Sequence, residues 1–221
     1  MLVGHFAAGF AAKRIEPSLS LGTLAFAALL ADVLAFVLVG AGVERFRIAT
    51  DVPTNRVIGE HIVWSHGLLM DILWGALLAA VYLLWSRHAR AAWVLFAVVV
   101  SHWVLDVISH RPDMPLGPGI PRLLGLGLWN SIPATLLVEG GMWLAAIVVY
   151  VRATHASRWA GNYGFWPGVV LVTLAWLTNI SSAPSSGGSG IAAALPSLIF
   201  FCCMIGWAYW AGGARAIRKR T

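Results

Sequence analysis

Residues 91–110, AAWVLFAVVVSHWVLDVISH, form a continuous apolar stretch that contains three ionisable side chains. At about 1.5 Å of rise per residue, about 20 helical residues cross the hydrocarbon core of a bilayer. The apolar residues do not alternate with a period of two, and lipid requires every backbone polar group to be satisfied internally. The stretch therefore predicts a membrane-spanning helix and not a strand of a barrel.

Five further stretches are long and apolar enough to cross a membrane in the same way. They are 21–43, 62–85, 129–151, 166–183 and 192–212. The composition agrees, since 59% of the 221 residues are hydrophobic and only 11% are charged, whereas about one quarter of the residues in a soluble domain are charged. The sequence predicts an all-α polytopic transmembrane helical bundle that forms one integral membrane domain, 1–221.

A shorter apolar segment, residues 3–14, precedes the first of these spans. It is too short to cross the bilayer, so we expect an N-terminal half-helix that dips partway into the membrane, with Lys13 and Arg14 reaching the cytoplasmic surface. The segment lacks a basic n-region and a small-residue cleavage site, so no removable signal peptide is expected.

The basic residues lie in the short loops between spans and divide unequally between the two sides of the predicted bundle. One side carries ten of them: Lys13, Arg14, Arg87, Arg90, Arg152, Arg158, Arg215, Arg218, Lys219 and Arg220. The other side carries five: Arg45, Arg47, Arg56, Arg111 and Arg122. The positive-inside rule then places both termini in the cytoplasm and the loops 44–61 and 111–128 outside, as lids over an outward-facing site.

The charged residues and the cysteines disfavour two other kinds of site. The net charge of +6 comes from basic residues that form no continuous stripe, so a nucleic-acid partner is not expected. Cys202 and Cys203 are adjacent within an apolar span, where they are poorly placed to form a disulfide or a thiolate metal site.

Seven ionisable side chains fall inside the predicted membrane segments, where each costs at least a few kcal/mol unless it is compensated. His102, Asp106 and His110 recur every four residues, which stacks them on one face of a helix. Counted along the helices, the seven lie about 12 to 28 Å from the cytoplasmic ends, between mid-membrane and the outer surface. The set is His5, Asp32, His66, Asp71, His102, Asp106 and His110.

Imidazole and carboxylate are preferred ligands of zinc and other first-row divalent ions. The set therefore predicts a divalent metal site, most simply for zinc, centred on His102 and Asp106. His66 approaches from the antiparallel neighbour, and His5, Asp32 and His110 are further candidate ligands. Water on such an ion becomes a nucleophile near neutral pH, and Asp71 or Glu60 would serve as the general base or orient a ligand histidine. The alternative is that these residues only pair with one another, joining helices or relaying protons.

Two acidic residues near this set have simpler expected roles. Glu139 lies in the middle of a span, where we expect it to satisfy Asn130 or another buried polar group. Asp113 follows a proline and is expected to be a turn residue. Apart from these, the ionisable membrane residues are confined to 1–128, so 129–221 are expected to be scaffold helices.

Several strings of this sequence, in their order, resemble the membrane-bound metal-dependent hydrolases, the family of the LexA-regulated inner-membrane hydrolase-like proteins. They are GHFAAGFAAKR from Gly4, Leu30-Ala31-Asp32, WSHGLLM from Trp64, SHWVLDVISHRPDMPL from Ser101, and LGLWN up to Asn130. The strings look like a bacterial integral-membrane branch of that family, and the resemblance covers roughly residues 1–140. Family members usually have a proline and two carboxylates around the first aspartate, where this chain has Ala31 and Leu34, so a second metal would lack a ligand there.

The resemblance implies His5, Asp32, His66, His102 and Asp106 as metal-site residues. It also implies a metal-dependent hydrolase of the bacterial inner membrane, and the opening of the site toward the outer leaflet suggests a lipid or lipid-linked substrate. The alternative is a permease or a metal- or proton-coupled carrier that uses the same His/Asp column. The absence of a visible internal repeat weighs against the carrier.

Overall fold

The computed structural model describes residues 1–48, 53–54, 57–181 and 190–218. The helices are α1 (Leu2–Ile15), α2 (Leu21–Ala28), α3 (Leu30–Gly40), α4 (Val63–His66), α5 (Leu68–Ser86), α6 (Ala89–Ser109), α7 (Ile132–Ala153), α8 (Phe165–Ser181) and α9 (Gly190–Gly213). A 3-10 turn, Leu128–Asn130, precedes α7, and a π-helical turn, Ala160–Gly164, leads into α8. The predicted all-α helical bundle is confirmed.

The described residues also form three short antiparallel strand pairs, two within single connections and the third between the segments that follow α7 and α9. They pair β1 (Arg45–Ile48) with β2 (Val57–His61), β3 (Met114–Pro115) with β4 (Leu123–Leu124), and β5 (Thr154–Ala156) with β6 (Arg215–Ile217). The segments 44–61 and 111–128, which are predicted as loops, therefore each contain a pair of short strands. Such pairing provides hydrogen-bond partners for backbone N–H and C=O groups close to a buried site.

Five helical segments are long and apolar enough to cross a membrane. They are Leu68–Ser86, Ala89–Ser109, Ile132–Ala153, Ala160–Ile180 and Ala192–Gly213. α2 and α3 together make a sixth candidate, but they are bent by 53° at their junction. Five or six membrane-crossing segments agree with the multi-pass prediction, and the continuous span expected over 21–43 is a broken one.

The N-terminal helix α1 is the central element of the bundle and not a peripheral half-helix. Val3, His5, Phe6 and Phe10 are at most 1% exposed, and α1 packs against α2, α6 and α7. Lys13 is also buried, and its Nζ donates to the carbonyls of residues 17 and 19. The expectation that Lys13 reaches the aqueous surface is therefore wrong, since its ammonium holds the turn between α1 and α2.

Candidate metal centre

Asp106, one turn before the end of α6, lies at the centre of a buried cluster and is only 1% exposed. Its Oδ2 lies 3.2 Å from His102 Nε2 and 3.7 Å from His66 Nε2. Its Oδ1 lies 3.1 Å from His5 Nε2 and 2.7 Å from the α-amino nitrogen of Met1. The two carboxylate oxygens thus face two different sets of partners, and the ammonium group lies on the Oδ1 side.

The same cluster receives a second carboxylate from α3. Asp32 Oδ1 lies 3.7 Å from His66 Nε2 and 4.0 Å from His102 Nε2. Two overlapping groups of side chains place one ligand atom each within 4.8 Å of one another: His5, Asp32 and His102, and His66, His102 and Asp106. Residues as far apart in the chain as His5 and His102 therefore come together, and these groups could hold a metal ion.

The break between α2 and α3 contributes directly to the geometry of His102. Ala28, the last residue of α2, has its carbonyl oxygen 2.8 Å from His102 Nδ1. A carbonyl can only accept, so Nδ1 must carry a hydrogen and donate it. In neutral His102 the lone pair is then on Nε2, the atom that faces Asp106 and His66.

The N-terminal helix supplies His5 as the fifth member of the cluster. Its ring stacks on that of His102, with centroids 3.6 Å apart and an angle of 7° between the ring planes. Its Nδ1 is buried and has no hydrogen-bond partner among the described residues. The position of α1 in the centre of the bundle is what brings this N-terminal histidine into contact with α6.

His110 lies next to the cluster but is positioned differently from the helix-face prediction. α6 ends at Ser109, and His110 has extended backbone angles of φ −69° and ψ 154°. Its Nδ1 pairs with Asp113 Oδ1 at 3.0 Å, its Nε2 is 4.0 Å from Asp106 Oδ1, and its ring packs on Trp129. His110 is absent from both potential metal-holding groups among the described residues. Asp113, expected to be only a turn residue, is the partner of His110.

The two candidate general bases do not join the five-residue cluster. Glu60 lies on β2, about half exposed, and forms an ion pair with Arg47 at 3.2 Å. Asp71 is fully buried near the start of α5, and neither of its carboxylate oxygens has a hydrogen-bond partner in the part of the chain that the structure describes. Asp71 is also absent from the residues that line the cavity beside the cluster.

That cavity, of about 410 Å³, is lined by both polar and apolar side chains. Asp32, His66, Asp106 and His110 line it from the cluster, and Thr178, Asn179 and Ser197 line it from α8 and α9. Its apolar walls include Ala35 and Phe36 of α3, Phe46 of β1, and Pro196, Phe200 and Phe201 of α9. The volume is in the usual range for a small-molecule site, which combines an apolar lining with a few convergent polar groups.

Glu139 connects the C-terminal helices to this region. Its Oε1 accepts from Trp129 Nε1 at 2.7 Å and its Oε2 from Trp176 Nε1 at 2.8 Å. The buried carboxylate therefore satisfies two indoles, which agrees with the expectation of Asn130 or another buried polar group as its partner. Because Trp129 packs on His110, residues after 128 take part in shaping the site.

Glu44 and Ser65 were not predicted as site residues, but they form a chain of hydrogen bonds that ends at His66. Ser65 Oγ lies 2.8 Å from His66 Nδ1, and Glu44 Oε2 accepts from Ser65 Oγ at 2.6 Å. Ser65 is adjacent to His66 in the sequence, which is a weak signal, since Ser101 precedes His102 in the same way. Glu44 carries no such signal because it lies in a polar segment 21 residues before Ser65.

Comparisons of the chain with family models, curated proteins and solved structures found no match. The resemblance to membrane-bound metal-dependent hydrolases therefore stays a prediction. What the protein does is inferred below from the geometry of its own residues.

Proposed function

We propose that the protein is a metal-dependent hydrolase of the bacterial inner membrane that acts on a lipid or lipid-linked substrate. One observation carries the proposal: the lone pair of neutral His102 Nε2 points at acceptor atoms. Asp106 Oδ2 lies 3.2 Å away and His66 Nε2 lies 3.4 Å away. Acceptors at this separation repel one another unless a metal ion or a proton lies between them.

The donor set also fits a zinc-like ion by chemistry and spacing. Two ligands of a tetrahedral zinc ion, each about 2.0 to 2.1 Å from the metal, are about 3.3 Å apart. The separations of His66, His102 and Asp106 cluster around this value, and Asp32 lies slightly farther out. Two imidazoles with one or two carboxylates match first-row divalent ions better than calcium or magnesium, which prefer all-oxygen ligands.

The chain's residues suggest how such a site would work. A divalent ion bound here supplies an activated water nucleophile near neutral pH. Asp32 and Asp106 balance the positive charge of the site, and His102 is oriented by the Ala28 carbonyl. His110, which pairs with Asp113, lines the cavity together with Asp106.

The cavity supports a substrate with a polar head and an apolar chain. The predicted metal-site residues line it together with an apolar wall of aromatic side chains from α3, β1 and α9. Apolar surface in this wall would bind a hydrocarbon chain through the hydrophobic effect. A substrate drawn from the membrane would place its ester or phosphoester at the cluster with its chain among the phenylalanines.

Metal removal tests the proposed reaction. We expect the detergent-purified protein to contain about one zinc per chain and to hydrolyse a long-chain fluorogenic carboxyl or phosphate ester. Dialysis against a chelator should abolish hydrolysis, and added zinc should restore it. Elemental analysis and fluorescence measure the two quantities on the same samples. If the purified protein binds no metal, a proton is shared between His102 and Asp106 instead, and the hydrolase proposal is rejected.

The alternative function, a carrier, has its own test. Zinc uptake into proteoliposomes without ester hydrolysis would favour the carrier.

The proposed orientation, with both termini in the cytoplasm, has a separate test. In a background with Cys202 and Cys203 replaced by alanine, Pro118→Cys should react with a membrane-impermeant thiol reagent added to intact cells. Ala156→Cys, exposed in β5, should react only after the membrane is opened. Labelling in the reverse order would overturn the assignment based on the Lys/Arg distribution.

A further inference from the structure

Glu44 lies outside the metal cluster, immediately before β1, yet its side chain is buried. Its Oε1 accepts from the backbone N–H groups of Trp64 at 2.8 Å and Ser65 at 2.9 Å. Its Oε2 accepts from the Ser65 hydroxyl at 2.6 Å. Because an ionised carboxylate can only accept, the single hydroxyl proton of Ser65 is committed to Glu44.

The committed proton determines what Ser65 presents to its neighbour. Ser65 Oγ lies 2.8 Å from His66 Nδ1 and offers only a lone pair in that direction. Nδ1 of His66 must therefore carry a hydrogen. In the neutral ring this leaves the lone pair on Nε2, the atom that faces Asp32, Asp106 and His102.

We propose that Glu44 and Ser65 are positioning residues that hold His66 in its Nδ1–H tautomer so that Nε2 is the metal-binding atom. This role of the pair rests on the proposed metal-dependent function. Ligand histidines commonly donate their second ring N–H to an oxygen acceptor, which fixes both the tautomer and the orientation of the ring. Ser65 does this for His66, as the Ala28 carbonyl does for His102.

The arrangement also assigns a role to the hairpin β1–β2. Glu44 precedes β1, and β1 pairs with β2, whose last residue, His61, lies close to the start of α4. The hairpin therefore holds the Glu44 carboxylate against the segment that carries Ser65 and His66. If Glu44 only capped the four-residue helix α4, its bonds to the two backbone N–H groups would be sufficient. The hydrogen bond from Ser65 Oγ to Glu44 Oε2 is not needed for capping, and the same Ser65 oxygen lies next to His66 Nδ1.

The chain contains a matched control for this role. Ser101 precedes His102 just as Ser65 precedes His66, but its hydroxyl donates to the carbonyl of Val98 at 2.7 Å and not toward an imidazole. Ser101→Ala should leave metal affinity unchanged. Ser65→Ala removes the acceptor of His66 Nδ1 and leaves both backbone bonds to Glu44 in place.

The first measurement reads the tautomer directly. Nitrogen NMR of histidine-labelled, metal-free protein in detergent should show His66 as the Nδ1–H form. In Glu44→Gln the amide oxygen is expected to stay on the two backbone N–H groups, which turns the amide NH₂ toward Ser65. The hydroxyl then donates to His66 Nδ1 and shifts the hydrogen to Nε2. A wild-type His66 in the Nε2–H form would overturn the proposal.

The second measurement reads zinc affinity, by competition with a chromophoric chelator. We expect Ser65→Ala and Glu44→Gln each to weaken zinc binding about 10- to 100-fold, the range seen when such outer partners are removed. Ser65→Thr, which keeps the hydroxyl, should bind zinc nearly as tightly as the wild type. Ser65→Ala with unchanged affinity would overturn the proposal. If Glu44→Gln does not fold, the Ser65 and Ser101 variants still decide the outcome.

The two measurements separate this proposal from the function on which it rests. A wild-type protein that binds no zinc rejects the hydrolase proposal, whereas the tautomer of His66 is read in the absence of metal. A wild-type protein that binds zinc, with Ser65→Ala binding it equally well, rejects only the role of Glu44 and Ser65.

Discussion

Replacing His102 by alanine is expected to remove most of the bound metal from the purified protein, and Asp106→Ala is expected to do the same. The two side chains lie one helical turn apart, with Nε2 and Oδ2 separated by 3.2 Å, so both reach one ion from the same wall. Groups that act as a unit are not additive, and the double variant should be little worse than either single variant. Elemental analysis of the four proteins after gel filtration measures the metal content.

His155→Ala is the control for this experiment, since His155 is exposed in β5, far along the chain from the cluster. It should retain the wild-type metal content. If His102 and Asp106 form only a structural pair, each alanine variant should lose about 1 kcal/mol of stability without any metal-dependent effect. Stoichiometric metal in both single variants would exclude the metal centre and leave the hydrolase proposal without a chemical basis.

Ala35→Trp is expected to abolish most hydrolysis of a long-chain ester while leaving the metal content unchanged. Ala35 lies on α3, three residues after Asp32, and its buried side chain lines the cavity of about 410 Å³. An indole at this position would fill much of the space that is lined by the metal-site residues and by the phenylalanines of α3, β1 and α9, the phenylalanine wall. We expect at least about a tenfold loss of activity, which corresponds to about 1.4 kcal/mol of transition-state binding.

The matched control is Ala145→Trp, at an exposed position on α7 that does not line this cavity. Ala145→Trp should change neither the metal content nor the rate of hydrolysis of the long-chain ester. Short-chain esters offer a second comparison, because they need less of the apolar wall and should lose less activity in Ala35→Trp. Equal losses for short and long chains, or no loss for either, would contradict the assignment of the phenylalanine wall to a hydrocarbon chain.

The sequence alone determined the all-α, multi-pass class of the bundle, because the length and apolarity of a membrane span are local properties. The break between α2 and α3 and the central position of α1 came only from the tertiary structure. The cost of ionisable side chains in apolar spans gave a set of seven residues. The resemblance implied the five of them that meet, His5, Asp32, His66, His102 and Asp106. Spacing in α6 correctly placed His102 and Asp106 on one face. The same rule did not predict the backbone at His110, because the helix ends at Ser109 and His110 is extended, although its Nε2 still lies 4.0 Å from Asp106 Oδ1.

Only the tertiary structure decided which way each imidazole faces and what holds it. The Ala28 carbonyl that orients His102 is at a helix break, and the carboxylate that acts on His66 through Ser65 comes from Glu44 beside a hairpin. Ser65–His66 and Ser101–His102 are identical dipeptides, yet only the first contains a serine that contacts its histidine. The difference is physical. Hydropathy and helical period depend on neighbours along the chain, whereas a hydrogen bond depends on where a distant backbone or side chain is brought by packing.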